Sequence, residues 1–126
     1  MFDHIGLRVA DPKKSKAFYD KALAPLGYKL LAEIPNDKTG NLETLGYGVP
    51  PDANFWLGKG TPHQPILHIA FSAKNRKQVD EFYKAAIAAG GKDNGAPGLR
   101  PEYHENYYGA FVLDPDGNNI EAVYHL

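Results

Sequence analysis

Three side chains in this sequence have the types and placement to hold a divalent cation: His4 in "DHIGLRVAD", His68 in "LHIAFSAKN" and Glu121 in "DPDGNNIEAV". Two neutral imidazoles and one carboxylate on one side of an ion form a facial triad, which leaves coordination positions open for a substrate. An ion would also offset the cost of burying a carboxylate, which is high for an unpaired charge. Taken singly, each residue has a plainer reading as a hydrogen-bonded strand residue. No short metal-binding spacing such as HExxH accompanies them. The chemistry therefore depends on whether the fold turns all three the same way.

The elements that would position them come as a repeat. A shift of 64 positions sets His4-Ile5 on His68-Ile69, Asp11 on Asn75, Phe18-Tyr19 on Phe82-Tyr83, Ala22 on Ala86, Leu23 on Ile87 and Gly27 on Gly91. In the first copy His4, Gly6 and Arg8 alternate with Ile5, Leu7 and Val9, the pattern of a strand with one apolar face. Asp11 as N-cap and Pro12 at the first helical position start a helix. Its core stripe is Phe18, Ala22 and Leu26, and Pro25 and Gly27 stop it. In the second copy Leu67, Ile69 and Phe71 face the core, and His68, Ala70 and Ser72 face away. Asn75 caps the next helix, with Gln78 at the capping-box position. Val79, Phe82, Ala86 and Ile87 form its stripe, and Gly90-Gly91 ends it.

Strands are expected near 28–34, 42–49 and 53–58, and again near 108–113 and 118–124, the last two joined by the turn Asp114-Pro115-Asp116-Gly117. Residues 93–107, "NGAPGLRPEYHENYY", read as a long Gly/Pro-rich loop, with a short strand or none in 92–107. Each copy is thus a βαβββ module, residues 1–58 and 66–126, joined by the linker 59–65 within one domain spanning 1–126. The helices cover the apolar sheet faces, so both histidines point to the opposite face. In the last strand Ile120, Ala122 and Tyr124 form the apolar set, which leaves Glu121 and Val123 on the histidines' side.

The composition narrows the chemistry further. With 126 residues the chain can bury a real core. It has no cysteine, which excludes disulfides, thiolate metal sites and thiol nucleophiles and is compatible with a reducing compartment. Basic and acidic residues nearly balance, 14 against 15, and no basic cluster suggests a nucleic-acid footprint. No apolar run approaches membrane-spanning length, and the first residues show no secretory pattern. The expectation is a cytoplasmic protein with a small-molecule substrate, and with neither nucleic acid nor membrane as partner.

Together, "DHIGLRVADPKKSKAFYDKALAPLGY", "LHIAFSAKN" and "DPDGNNIEAV" resemble the glyoxalase/bleomycin-resistance/extradiol-dioxygenase superfamily, also called the vicinal oxygen chelate family, over essentially the whole chain. The resemblance implies an α+β fold in which two tandem βαβββ modules form a cupped mixed sheet with helices on its outer face. It implies a divalent metal inside the cup (Zn, Mn, Fe, Ni or Co) with His4, His68 and Glu121 as ligands. These are the residues that the facing argument selects. It also implies a homodimer with the site near the interface, the modules pairing within one chain or across two. The family's fourth ligand position falls on Trp56, which cannot bind a metal. That departs from four-ligand glyoxalase chemistry and turns the resemblance toward thiol transferases and dioxygenases.

Several readings follow from the resemblance. The first is a metal-dependent lyase/isomerase, thiol transferase or dioxygenase acting on a small oxygen-chelating substrate, with Glu121 also shuttling a proton. The second is a metal-free binding protein of the bleomycin-sequestering kind, whose cup aromatics stack on a ligand. A third is an assembly module with a purely structural cup. Candidate substrate contacts are Arg8, facing the cup, Trp56 as an aromatic wall, Arg100 for an anion, and Tyr103, His104, Tyr107 and Tyr108 as pocket lining or acid/base groups. Glu43 is a weaker candidate. His63 is expected to be solvent-exposed, and His125 to fray at the end of the chain.

Overall fold

The computed structural model describes residues 1–126. Module one contains β1 (Ile5–Val9), α1 (Pro12–Ala22), a 3₁₀ turn at Ala24–Leu26, β2 (Lys29–Pro35), β3 (Leu42–Gly48) and β4 (Phe55–Lys59). Module two contains β5 (His68–Ser72), α2 (Arg76–Ala88), β6 (Lys92–Leu99), β7 (Tyr107–Leu113) and β8 (Asn119–His125). This is the expected α+β repeat. The eight strands form two four-stranded mixed sheets, ordered β1-β4-β3-β2 and β5-β8-β7-β6. In each the first strand of the module runs parallel to the last and lies at the sheet edge, so β1 and β5 are equivalent edge strands.

Local chemistry explains the helix starts. The Asp11 side chain accepts from Lys13 N at 3.0 Å, and Pro12 fills the first turn. The Asn75 side chain accepts from Gln78 N at 2.8 Å, while Gln78 Oε1 reaches back to Lys74 N, also at 2.8 Å. The first helix is shorter than its stripe suggested. It ends at Ala22, and Leu26 reaches the core from the 3₁₀ turn, closed by Gly27 at φ 84°. In α2 the expected stripe is narrower, since Ile87 is exposed while Val79, Phe82 and Ala86 are buried.

One core runs through both modules. Helices α1 and α2 pack against each other and against the apolar sheet faces. Phe71 of β5 meets Phe55 of β4 and Tyr28, with ring centroids 5.1 and 5.3 Å apart and the rings nearly perpendicular. The Asp114–Asn118 turn ties the modules together through polar groups. The buried Tyr19 hydroxyl of α1 donates to Asp114, and Ala10 N donates to Asp116 Oδ1 at 3.2 Å.

Residues 92–107 differ from expectation. An eight-residue strand, β6, occupies Lys92–Leu99, leaving only 100–106 as loop. The ladder to β7 slips between Asp93 and Gly95 and again between Gly95 and Gly98. Bulges of this kind break the two-residue alternation by which a strand is read from sequence.

Candidate functional site

The register of module two carries the first half of the site. Ala70 of β5 pairs with Glu121 of β8, and Phe111 of β7 pairs with the same Glu121. Cross-strand partners share a face, so His68, Glu121, Phe111, Gly109 and Tyr107 all lie on the face turned away from the helices. Glu121 is fully buried there, and each of its carboxylate oxygens has one partner. His68 Nε2 donates to Oε1 at 2.7 Å, and the Tyr107 hydroxyl donates to Oε2. The His68 side chain keeps about half its surface in solvent. Burial, and then the hydrogen bond to Glu121, pushes the Tyr107 phenol well above its ordinary pKa, so it stays a proton donor to the carboxylate.

Around this pair stand Arg100 and a cluster of rings. The Arg100 guanidinium lies over the Phe111 ring, 5.3 Å from its centroid, and Phe111 lies 6.1 Å from the His68 ring. At the rim His104 stacks on His125 with centroids 4.9 Å apart, joined by a 2.9 Å contact between His104 Nε2 and His125 Nδ1. Tyr107 meets both rings edge-on, and Tyr103 packs on Tyr107. His125 is a paired residue of β8, opposite Tyr107, and Leu126 N donates to Asn106 O beyond it, so this end does not fray.

Module one presents the equivalent face. Gly6 pairs with Trp56 as Ala70 pairs with Glu121, so Trp56 does occupy the position that the repeat assigns to a fourth ligand. Its ring lies flat over Gly46, where a Cβ would come within 2.7 Å of it. His4 precedes β1, is exposed, and contacts only Asp3, Nδ1 to Oδ1 at 2.6 Å. It lines a cavity of about 550 Å³ with Asp3, Gly6, Ala53 and Trp56. Arg8 donates through Nε to Thr61 O at 3.2 Å, and its side chain lies against Gly60. His63 is half-buried rather than exposed, because its Nε2 accepts the outward Arg8 N at 3.0 Å on the edge of β1.

The single chain therefore brings His68 and Glu121 together and leaves His4 apart. His4 and His68 line one cavity of about 580 Å³ between the edges of β1 and β5, but Glu121 does not reach it. No group of three or more His, Cys, Asp or Glu side chains converges within the chain. An imidazole nitrogen and a carboxylate oxygen side by side suit a divalent ion chemically, and they supply two of the three donors a facial triad needs.

Other candidates fall elsewhere. Tyr108 points to the opposite side of β7 from the site: its hydroxyl donates to Asp80 of α2 at 2.7 Å, and Arg76 lies over its ring. Consecutive strand residues take opposite faces, so only one of Tyr107 and Tyr108 can enter the cup. The register with Glu121 selects Tyr107. Glu43 is engaged by Asn36 across the β2–β3 hairpin and lies outside the site. Phe111, not singled out from sequence, forms the floor between Glu121 and Arg100, and the alternation Tyr107-Gly109-Phe111 was the available signal.

Comparisons with known proteins agree with this architecture. The family model described as "Glyoxalase/Bleomycin resistance protein/Dioxygenase superfamily" matches residues 1–122. A glyoxalase/bleomycin resistance protein from Albidiferax ferrireducens is similar in structure, with a TM-score of 0.78, 31% identity, and coverage of 100% of this chain and 99% of that one. TioX from a Micromonospora species shares the fold with a TM-score of 0.73 at 16% identity, covering 100% and 99% of the two chains. A glyoxalase-related enzyme from Fulvimarina pelagi does so at 0.71 and 18%, covering 99% and 88%. No curated protein matches the chain. With the family model spanning all but the last strand's end and a full-length structural relative near one-third identity, the chain belongs to the glyoxalase/bleomycin resistance protein/dioxygenase superfamily.

Proposed function

We propose that the chain is a metal-dependent enzyme for a small oxygen-bearing substrate, with a divalent ion held by His68 and Glu121 of one chain and His4 of a second copy. The observation that carries this reading is Glu121, a fully buried carboxylate on an otherwise open sheet face, hydrogen-bonded to an imidazole 2.7 Å away. Burying a carboxylate is costly unless it is paired, and its partners here are the His68 imidazole and the Tyr107 hydroxyl, both on the same face. The second copy is invoked because His4 does not converge with the pair within one chain, while the β1 edge beside it is apolar. Phe2, Ile5 and Val49 are exposed around the cavity that separates β1 from β5. Large apolar side chains grouped on a surface mark an interaction site.

A bound divalent ion would supply Lewis-acid stabilisation of negative charge on a substrate oxygen. The chain's own groups do the rest. Tyr107 fixes the orientation of Glu121, Phe111 gives the module-two cup its apolar floor, Trp56 walls the module-one cavity beside His4, and Glu121 is the group positioned to take up a substrate proton. This covers isomerisation or lyase, thiol-transfer and oxygenation chemistry. We place the protein in the cytoplasm, in keeping with its lack of cysteine.

The test is metal content after purification without chelator. The parent should hold one ion per chain, and His4→Ala, His68→Ala and Glu121→Ala should each lose it. Co-expressing the His4→Ala and Glu121→Ala chains should restore about a quarter of the parental content, because random pairing leaves one intact shared site in each mixed dimer. Retention of metal by all three variants would sink the metal site, and absence of restoration would sink the two-chain site. A second reading, a metal-free ligand-sequestering protein, is favoured by the failure of three donors to converge within one chain and by the rings at Trp56, Phe111 and Tyr103. It predicts ligand binding unchanged by chelator.

A further inference from the structure

We propose that Arg100 is a carboxylate anchor and that the module-two cup takes a small organic acid, its acid group on Arg100 and its other oxygens toward His68 and Glu121. This deepens the proposed function by naming the substrate class of the same cup. It rests on the cup being the substrate site, and does not require the metal.

The argument begins with the bulged strand. The two slips in the β6–β7 ladder put both Gly95 and Gly98 on the cup face, opposite Phe111 and Gly109, although they are three residues apart. Arg100 N then donates to Tyr107 O at 2.7 Å, which keeps Arg100 on the cup side. Its side chain folds back over the bulge, where Nη2 donates to Ala96 O at 2.7 Å and Nη1 lies 3.5 Å from Leu99 O. Glycine at both positions gives the side chain room. A Cβ at Gly95 would stand 2.9 Å from Phe111 Cδ1 and 3.2 Å from Arg100 Nη2, and one at Gly98 would stand 3.2 Å from Nη1.

That guanidinium has no acidic partner. The ion pairs of the chain are Asp3–His4, Lys16–Asp20 and His68–Glu121, and both oxygens of Glu121 are engaged by His68 and Tyr107. Of its five N–H groups at most two are used by backbone carbonyls, which leaves at least three free to donate. Held against Phe111, it has already lost much of the freedom that binding would otherwise remove. A planar fork on a fixed stem matches a carboxylate in bidentate contact. Its neighbours Tyr107, Phe111 and Glu121 include no second cation, so a monoanion suits the place better than dianionic phosphate. Arg8, by contrast, stands on the other sheet with its Nε on Thr61 O, and Arg76 lies on the helix side over Tyr108.

Calorimetric titration of the full chain as purified tests this, with lactate and mandelate as probes, lactamide as the neutral counterpart and inorganic phosphate as the alternative anion. The parent should bind at least one of the acids, with lactamide and phosphate weaker by about tenfold or more. Arg100→Gln should lose acid affinity by about tenfold or more while keeping the parent's melting temperature and metal content. Gly98→Ala should weaken the acids without removing any charge. Binding by Arg100→Gln equal to the parent's would overturn the proposal, as would lactamide binding as well as lactate, phosphate binding more tightly than both acids, or no acid binding by the parent. Metal content measured on the same samples separates these failures from failure of the metal site.

Discussion

Glu121 shows how a residue's meaning depends on its surroundings. A carboxylate with no exposure is tolerated here because an imidazole and a phenol each occupy one oxygen. Asp116 is the contrasting case. Its Oδ1 accepts Ala10 N, but its Oδ2 is buried with no partner. Burial raises the Asp116 pKa, the bond from Ala10 N opposes the rise, and the neighbouring Asp114 and Asp11 add to it. A carboxyl with a raised folded-state pKa holds its proton more tightly in the native state, so its ionisation costs stability. The cost is absent below the ordinary value of 3.8, grows as pH rises through the raised value, and is complete at neutral pH. Asp116→Asn keeps an acceptor for Ala10 N and removes the charge. Urea unfolding of freshly purified protein should find the variant more stable than the parent at pH 7, with the difference shrinking toward pH 4.

At the scale of elements, glycines decide where strands and helices can meet. Gly91, just past α2, has Val112 Cγ1 2.4 Å, Phe18 Cε1 2.7 Å and Ala86 O 2.8 Å from where a Cβ would sit. It is the point at which the end of α2, strand β7 and helix α1 converge. Gly91→Ala should cost about 1–3 kcal/mol by overpacking. Gly58, in β4 on the open face of module one, has nothing within 4 Å of its Cβ position. Gly58→Ala should leave stability unchanged or raise it by up to about 1 kcal/mol, through the lower entropy of the unfolded chain. Equal losses in the two variants, read by denaturant unfolding, would contradict this account of the junction.

For the whole molecule, the decisive feature is that the two modules share a core but present their polar faces separately. The buried bond from Tyr19 to Asp114 crosses between them, and burial raises the Tyr19 phenol far above its usual range, so it remains a donor. Asp114 also accepts from Asp116 N and Asn118 N, which makes the turn a rigid acceptor for α1. Tyr19→Phe should destabilise the whole chain by about 1–3 kcal/mol in a single cooperative transition, because it removes one partner of a buried polar pair. An early transition confined to one module would show instead that the modules unfold independently. The arrangement also bears on assembly. The outer edge of β1 is closed at Arg8 and Ala10 by His63 and Asp116, while its beginning, next to Phe2 and His4, is flanked by exposed apolar side chains.

The sequence by itself determined the repeat, the α+β class, both helix starts and the facing of His68, Glu121 and Trp56. These follow from local rules: capping atoms act within a turn, and strand alternation assigns a face without knowledge of the neighbour. Phe111, and the placing of the candidates Tyr107 and Arg100, lay beyond that reach. Selecting Tyr107 over Tyr108 needed the register of β7 against β8, and placing Arg100 needed bulges that suspend alternation in β6. The position of His4 was the furthest from sequence. Its facing was legible, but whether it joins His68 and Glu121 depends on how two sheets are set by a shared core of side chains distant along the chain. Tertiary packing alone decided that one chain assembles two donors and keeps the third outside.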